Sequence, residues 1–372
     1  MARRHFLAQS AALAGLATAL PAPLPAHDIA GTDALAAALP APQPKPALPF
    51  VLEALARHQL VGLCEAHLLQ EQHDFFGALL RQPALPSLID DIVVEFGNAL
   101  YQPIADQFIL GDEPVANAVL HQIWRNTTIS GGNPVWDAPV YEQFFRTVRA
   151  VNWPLPPSRR IRVLLGDPPI DWSTVRGAAD IPAAEPLVLS RDAHYAQVVE
   201  RKVLARGRRA LLVAGGGHLY RGVLADNNVP GQPNPPNAAT LLVHKYPGIL
   251  YVIDIAIPAP GSQDPQDRLV STWARPSIAS LAGTWVGATP LPAGARIMVA
   301  TTYGAMVDSL LYVGSGKQLT ASHPDPSLYE GGAYAKELER RGKLYVLAGA
   351  QKGDALRSAL ALANAGPSYF AP

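Results

Sequence analysis

The stretch LVGLCEAHLLQEQHDFF, residues 60–76, decides the fold class. It opens on a continuous apolar run of strand length and closes in an amphipathic stretch, EQHDFFGALLRQ, of helical length. Between and just beyond the two stand Glu65, His67, Glu71 and His73. The same alternation recurs along the chain. Apolar runs at LVGLCE (60–65), DIVVEF (91–96), RIRVLLGD (160–167) and ALLVAGGGH (210–218) have the unbroken hydrophobicity of strands covered on both faces. Later strand candidates lie near ILYVIDIAI, RIMVATT and SLLYVG, and helical stretches at YEQFFRTVRAVN and RDAHYAQVVERKVLARG. The pattern predicts an α/β protein with a mainly parallel central sheet flanked by helices.

Composition sets the outer limits. The chain has 372 residues, 49% hydrophobic and 16% charged, ample for a large core and too apolar for disorder. With 30 basic and 30 acidic residues and no basic block, nothing marks a nucleic-acid footprint, and a small-molecule or peptide substrate is the expected partner. The one cysteine, Cys64, cannot form an internal disulfide, and the Cys/His spacings of structural zinc sites are absent. The opening MARRHFLAQSAALAGLATALPAP has the layout of an export signal, and Arg3-Arg4-x-Phe6-Leu7 resembles the twin-arginine type. Its apolar part is shorter than the roughly 20 residues of a spanning helix, so no stable membrane span is expected after its removal. These features predict a periplasmic or secreted protein: signal 1–26, a Pro/Ala-rich linker 27–48 with PAPQPKPALP as an extended tether, and one α/β domain from 49 to 372. The long loops 227–239 and 258–267 give that domain irregular insertions in its second half.

Each of the four buried runs ends in an ionisable residue: Glu65, Glu95, Asp167 and His218. If the strands are parallel, those residues meet at the carboxyl edge of the sheet, where crevices between loops bind ligands. Glu95 stands among Ile, Val and Phe, and burial there without a partner would cost several kcal/mol. A cationic neighbour, His67 or an arginine, is therefore expected. Glu71, between Gln70 and Gln72, fits a solvated helix face. The glycines of GGGH (215–218) permit positive φ and a tight exit, and also let backbone N–H groups approach a ligand beside His218. Ser190 fits a helix N-cap, and Arg191, a cation at a helix start, suggests a nearby anion. His194 shares its helix face but fits an exposed surface position.

In the order of these motifs the chain resembles the erythromycin esterase-like, TIKI and ChaN haem-uptake superfamily. The elements that carry the likeness are strand–Glu65–x–His67–helix, a second strand ending in Glu95, the Arg191-Asp192 helix start and Gly215-x-x-His218, within roughly residues 58–222. The resemblance implies an erythromycin esterase/ChaN-like core. It assigns catalytic roles to Glu65, His67, Glu95, Arg191 and His218, with His73 in the histidine position of the first helix; His73, Gly216 and Gly217 are the expected substrate contacts. In the esterase branch a histidine and glutamates activate water to open a macrolactone, with no cofactor required. The TIKI branch implies a divalent metal and peptide cleavage, for which His67, His73, His218 and Glu95 are the candidate ligands. The ChaN branch implies haem, with Tyr101, Tyr195 and Tyr220 near the motif segments as possible axial groups. One position departs from the pattern: Cys64 stands before Glu65 where the family usually has glycine, and its thiol adds volume there. With His67 near, Cys64 is also a conceivable nucleophile, although a buried, inert thiol is the more ordinary state.

Overall fold

In the computed structural model, residues 29–130, 134–225, 234–291, 298–347 and 355–370 are described. Residues 1–26, which the sequence reading takes as an export signal, lie outside them. Eight strands form one sheet: β1 Lys45–Pro46, β2 Leu60–Glu65, β3 Asp91–Asn98, β4 Arg162–Asp167, β5 Ala210–Gly215, β6 Leu250–Ala256, β7 Ser277–Ser280 and β8 Ser309–Tyr312. Their order is β1-β7-β8-β6-β2-β5-β3-β4. From β8 to β4 every pairing is parallel, and β7 and β1 close one edge antiparallel. This is the mainly parallel α/β sheet that the apolar runs predict.

Side chains alternate between two cores. Val61, Leu63, Ile92, Val94, Phe96, Leu211 and Val213 face helices that include Gln70–Leu80 and Pro139–Asn152. Leu60, Cys64, Val93, Leu212 and Ala214 face the opposite side, against Arg191–Val198 and Ala238–Lys245. The chain leaves β2 on the first side to reach β3 and leaves β5 on the second side to reach β6. Connections that part in this way open a crevice at the carboxyl ends of the strands.

Several boundaries differ from the sequence reading, each for a local reason. The run 210–218 stops as strand at Gly215, and Gly216–Leu219 forms a helical turn. β3 runs on to Asn98 through an irregularity after Val94. Of RIMVATT, the described residues 298–302 form no strand: Met298, Val299 and Ala300 turn their N–H groups onto the single carbonyl of Gly222. The long helix after Arg191 changes winding at Val199–Val203, a π segment, and ends at Gly207 with φ +63°. The proline-rich stretch is not a free tether throughout, because Lys45 and Pro46 pair with Ile278 and Ser277. Ahead of it, Ile29–Ala38 is helical. No helix among the described residues is long and apolar enough to cross a membrane.

Candidate active site

β2 delivers Glu65 to the sheet edge on the first side, and β3 delivers Glu95 between residues of the two cores. His67, two residues past the end of β2, reaches both. Its Nδ1 makes a short contact with Glu65 Oε2, and its Nε2 lies 3.4 Å from Glu95 Oε1. Both carboxylates are buried while the His67 side chain keeps 26% of its surface exposed, so the imidazole is the part that meets solvent. The remaining Glu65 oxygen accepts from Tyr141 Oη at 3.0 Å and lies 3.0 Å from His73 Nε2. Trp136 stands edge-on to the His67 ring at 4.7 Å.

His218 enters from the other side. The turn after β5 places its Nε2 3.0 Å from Glu95 Oε2 and its Nδ1 2.9 Å from Asp192 Oδ1. Asp192 is held by the amide of Ala238 at 2.8 Å. Glu95 thus sits between two imidazoles. These approaches lack the alignment of hydrogen bonds, so both buried Glu95 oxygens are without a hydrogen-bond partner among the described residues. Arg191 does turn to an anion, but to Asp167, whose Oδ1 is 3.2 Å from its Nε. Asp167 is fixed in turn by Thr128, through the amide at 2.7 Å and the hydroxyl at 2.6 Å. Ser190 does not cap the helix with its side chain, which bonds back to Leu187 O instead.

The charges interlock. Burial alone would raise Glu65, but the positive character and hydrogen bonds of His67 and His73 outweigh it and hold the carboxyl at about 2. Glu95 is likewise lowered against its burial by His218, His67 and Arg191. Burial disfavours the His218 imidazolium, yet Asp192 and Glu95 together raise it to about 10. His67 is raised as well, since Glu65 and Glu95 overcome burial and the repulsion of His218. The site therefore holds a lasting cation at His218, with the Arg191 guanidinium close by, beside a histidine that titrates above the ordinary imidazole range.

Of the residues read from the sequence, Glu65, His67, Glu95 and His218 gather at one point, and Arg191 faces Glu95 electrostatically. His73 is buried behind Glu65, edge-on to Tyr141 and Phe76, where it also borders a groove of about 380 Å³ between helices Gln70–Leu80 and Pro139–Asn152. Gly215 and Gly216 are required for closeness, not for positive φ. A Cβ on Gly215 would stand 3.2 Å from His67 Cε1, and one on Gly216 would meet the Tyr220 ring at 2.4 Å. Gly217 offers its carbonyl to Asn237 Nδ2 at 2.8 Å. Cys64 points away from the site into the second core, and burial with the neighbouring Asp254 carboxylate pushes its thiol well up, which makes it inert. The departure at this position therefore adds volume on the far side of β2.

Sequence reasoning missed Asp192, Tyr141 and Trp136. Asp192 lay in the quoted Arg-Asp pair and carried a signal. Tyr141 stands unmarked in the helical stretch YEQFFRTVRAVN, and Trp136 falls in no motif of the sequence. Gln72 was also missed: it is buried, donates to Cys64 O and accepts from Ala66 N, each at 2.7 Å, and so braces the backbone on both sides of Glu65. Glu71 is not simply solvated, because its carboxylate accepts from the amide and hydroxyl of Thr320 at 2.9 and 2.6 Å.

No family model matches the chain, and no curated protein matches it in sequence. Solved structures do match in fold. A succinoglycan biosynthesis protein is 10% identical, with a TM-score of 0.51 over 77% of this chain and 97% of that one. The erythromycin esterase EreC in its open conformation is 12% identical, with a TM-score of 0.50 over 72% of this chain and 93% of its own. The haem-binding ChaN of Campylobacter jejuni is 14% identical and covers 58% of this chain and 87% of its own, at a TM-score of 0.35 too distant to bear on the site. The chain has the α/β fold of the erythromycin esterase, as the order of its motifs implies.

Proposed function

We propose that this protein is a hydrolase of the erythromycin esterase type that activates water for cleavage of an ester or amide. The observation that carries the reading is His67, a part-exposed imidazole whose Nδ1 is engaged by buried Glu65 and whose Nε2 faces the crevice beside Glu95. Glu65 accepts a hydrogen bond from Nδ1–H, which leaves Nε2 to take a proton from water. Glu65 and Glu95 then stabilise the imidazolium that forms. The attacked carbonyl develops negative charge, and the fixed cations on that side are His218 and Arg191. A macrolactone, an ordinary ester and a small amide all present that carbonyl. On this reading the protein works after export, which is the role its N-terminal segment suggests.

A metal-assisted form of the same hydrolysis rests on a separate observation. One ligand atom each of Glu65, His67 and Glu95 lie within 4.8 Å of one another, and the lone pairs of Glu95 have no hydrogen-bond partner. Two carboxylates and an imidazole suit zinc or manganese, which when bound would acidify water. His73 and His218 stand outside this set. A haem reading has less support: Tyr195 and Tyr220 donate to Val93 O and Asp254, and Tyr101 accepts from Asn126.

The test is a panel of nitrophenyl esters, macrolactones and peptide amides, run with and without chelator on wild type and His67→Ala. Hydrolysis that the variant loses by about a thousandfold, while it remains folded at the assay temperature, supports the reading. Equal turnover in the variant removes His67 from the mechanism. Activity abolished by chelator and restored by zinc or manganese selects the metal-assisted form.

A further inference from the structure

Leu68, the residue after His67, adopts φ +70°, and it is the single non-glycine with positive φ among the described residues. A leucine in the left-handed region is held there against its own preference, so neighbouring contacts must fix it. Those contacts come from two directions. Tyr141 Oη accepts from the Leu68 amide at 3.2 Å. The other contacts come from far along the chain: Ser322 N donates to Leu68 O at 2.8 Å, Gln70 N donates to Thr320 O at 3.0 Å, and Leu69 bridges Ala321. Thr320 is itself clamped by both oxygens of Glu71, through its amide and its hydroxyl. Behind it, residues 367–369 pair with 319–321 through Ala321 N to Pro367 O and Tyr369 N to Leu319 O, each at 3.0 Å.

We propose that Thr320, held by Glu71, is a positioning residue for His67: the strip 319–322 locks the left-handed turn at Leu68 and thereby fixes the imidazole against Glu65 and Trp136. The turn leaves His67 one backbone unit in which to swing from its strand-end direction toward the crevice. Released from the strip, Leu68 relaxes toward negative φ and the imidazole rotates off the edge of Trp136. The site is therefore completed by a segment some 250 positions away in sequence.

The inference rests on the reading of His67 as the base, but its experiment reads the ring and not the reaction. Protein labelled with ¹³C-histidine gives a His67 ring resonance, assigned by its loss in His67→Gln and displaced by the ring current of Trp136. Thr320→Val and Glu71→Ala should each move that resonance toward the position of solvent-exposed histidines, whereas Thr320→Ser, which keeps the hydroxyl, should not. Adding Leu68→Gly to Thr320→Val should restore it, because glycine occupies the left-handed region without a Cβ. On any substrate found, Thr320→Val should lower kcat with KM little changed. A His67 resonance unmoved in both Thr320→Val and Glu71→Ala overturns the proposal, and so does failure of Leu68→Gly to restore it in folded protein. If Thr320→Val fails to fold, Glu71→Ala decides alone. A wild type that hydrolyses nothing but responds as described loses the proposed function and keeps this inference.

Discussion

At His67 two opposing demands meet. A general base must be free of its proton near working pH, while two buried carboxylates beside it favour the protonated ring. The consequence is a shifted pH profile. The base form of His67 grows as pH rises through its elevated pKa, and the cation at His218 is lost only near 10. Plotted against pH, kcat/KM should climb above the ordinary imidazole range and fall again toward about 10. Glu95→Gln removes a charge that raises both histidines, so the climbing limb should move to lower pH; an unmoved limb would take Glu95 out of contact with the base. Glu65 gives a second sign. Its folded pKa of about 2 lies below the ordinary glutamate value of 4.5, so its contribution to stability is fully present above that value and is lost as pH falls through about 2. Thermal scans from pH 5 to pH 2 should show a steeper loss in wild type than in Glu65→Gln.

At the scale of the element, the turn after β5 joins two adjacent glycines with different duties. A methyl on Gly215 presses on His67 Cε1, whose ring is already gripped by Glu65 and Trp136 and has little room to yield. Gly215→Ala should therefore lower turnover while changing stability by no more than about 1 kcal/mol. Gly216→Ala drives a methyl into the Tyr220 ring, which Asp254 holds through a 2.9 Å hydrogen bond. That variant should lose about 2 kcal/mol by denaturant titration. Similar losses in both would mean that the turn is uniformly tight and that Gly215 has no special relation to the site. β2 was legible to its exact bounds, because an apolar run ends there in a charge. β1 and β7 were not read, since a strand of two or four residues on an antiparallel edge is too short to carry a pattern.

Across the whole molecule, the C-terminal third does more than extend the sheet. Arg341, only 3% exposed, reaches from helix Gly332–Leu347 to Arg125 O and Ser130 Oγ, both at 2.8 Å, and to Asn126 Oδ1 at 2.6 Å. Those residues flank Thr128, which grips Asp167 and through it Arg191. Arg341→Ala strips the donor from one buried and two half-buried acceptors and should cost about 3 kcal/mol of stability, measured in denaturant. A loss below about 0.5 kcal/mol, the range of an ordinary surface substitution, would show that this helix docks without the arginine.

The sequence by itself determined the α/β class, the apolar runs that carry Glu65 and Glu95 and lead to His218, and the residue types of the site, because hydrophobic periodicity and a charge at the end of an apolar run are local signals. Only the tertiary structure decided how they meet. Successive residues of a strand face opposite ways, so the far-side placement of Cys64 follows from the same alternation that turns Glu65 toward His67. Asp192 as the second carboxylate on His218, Asp167 as the partner of Arg191, and Thr320 against Glu71 are pairings between segments far apart in the chain. Their geometry is set by the packing of whole elements, and no spacing in the sequence records it.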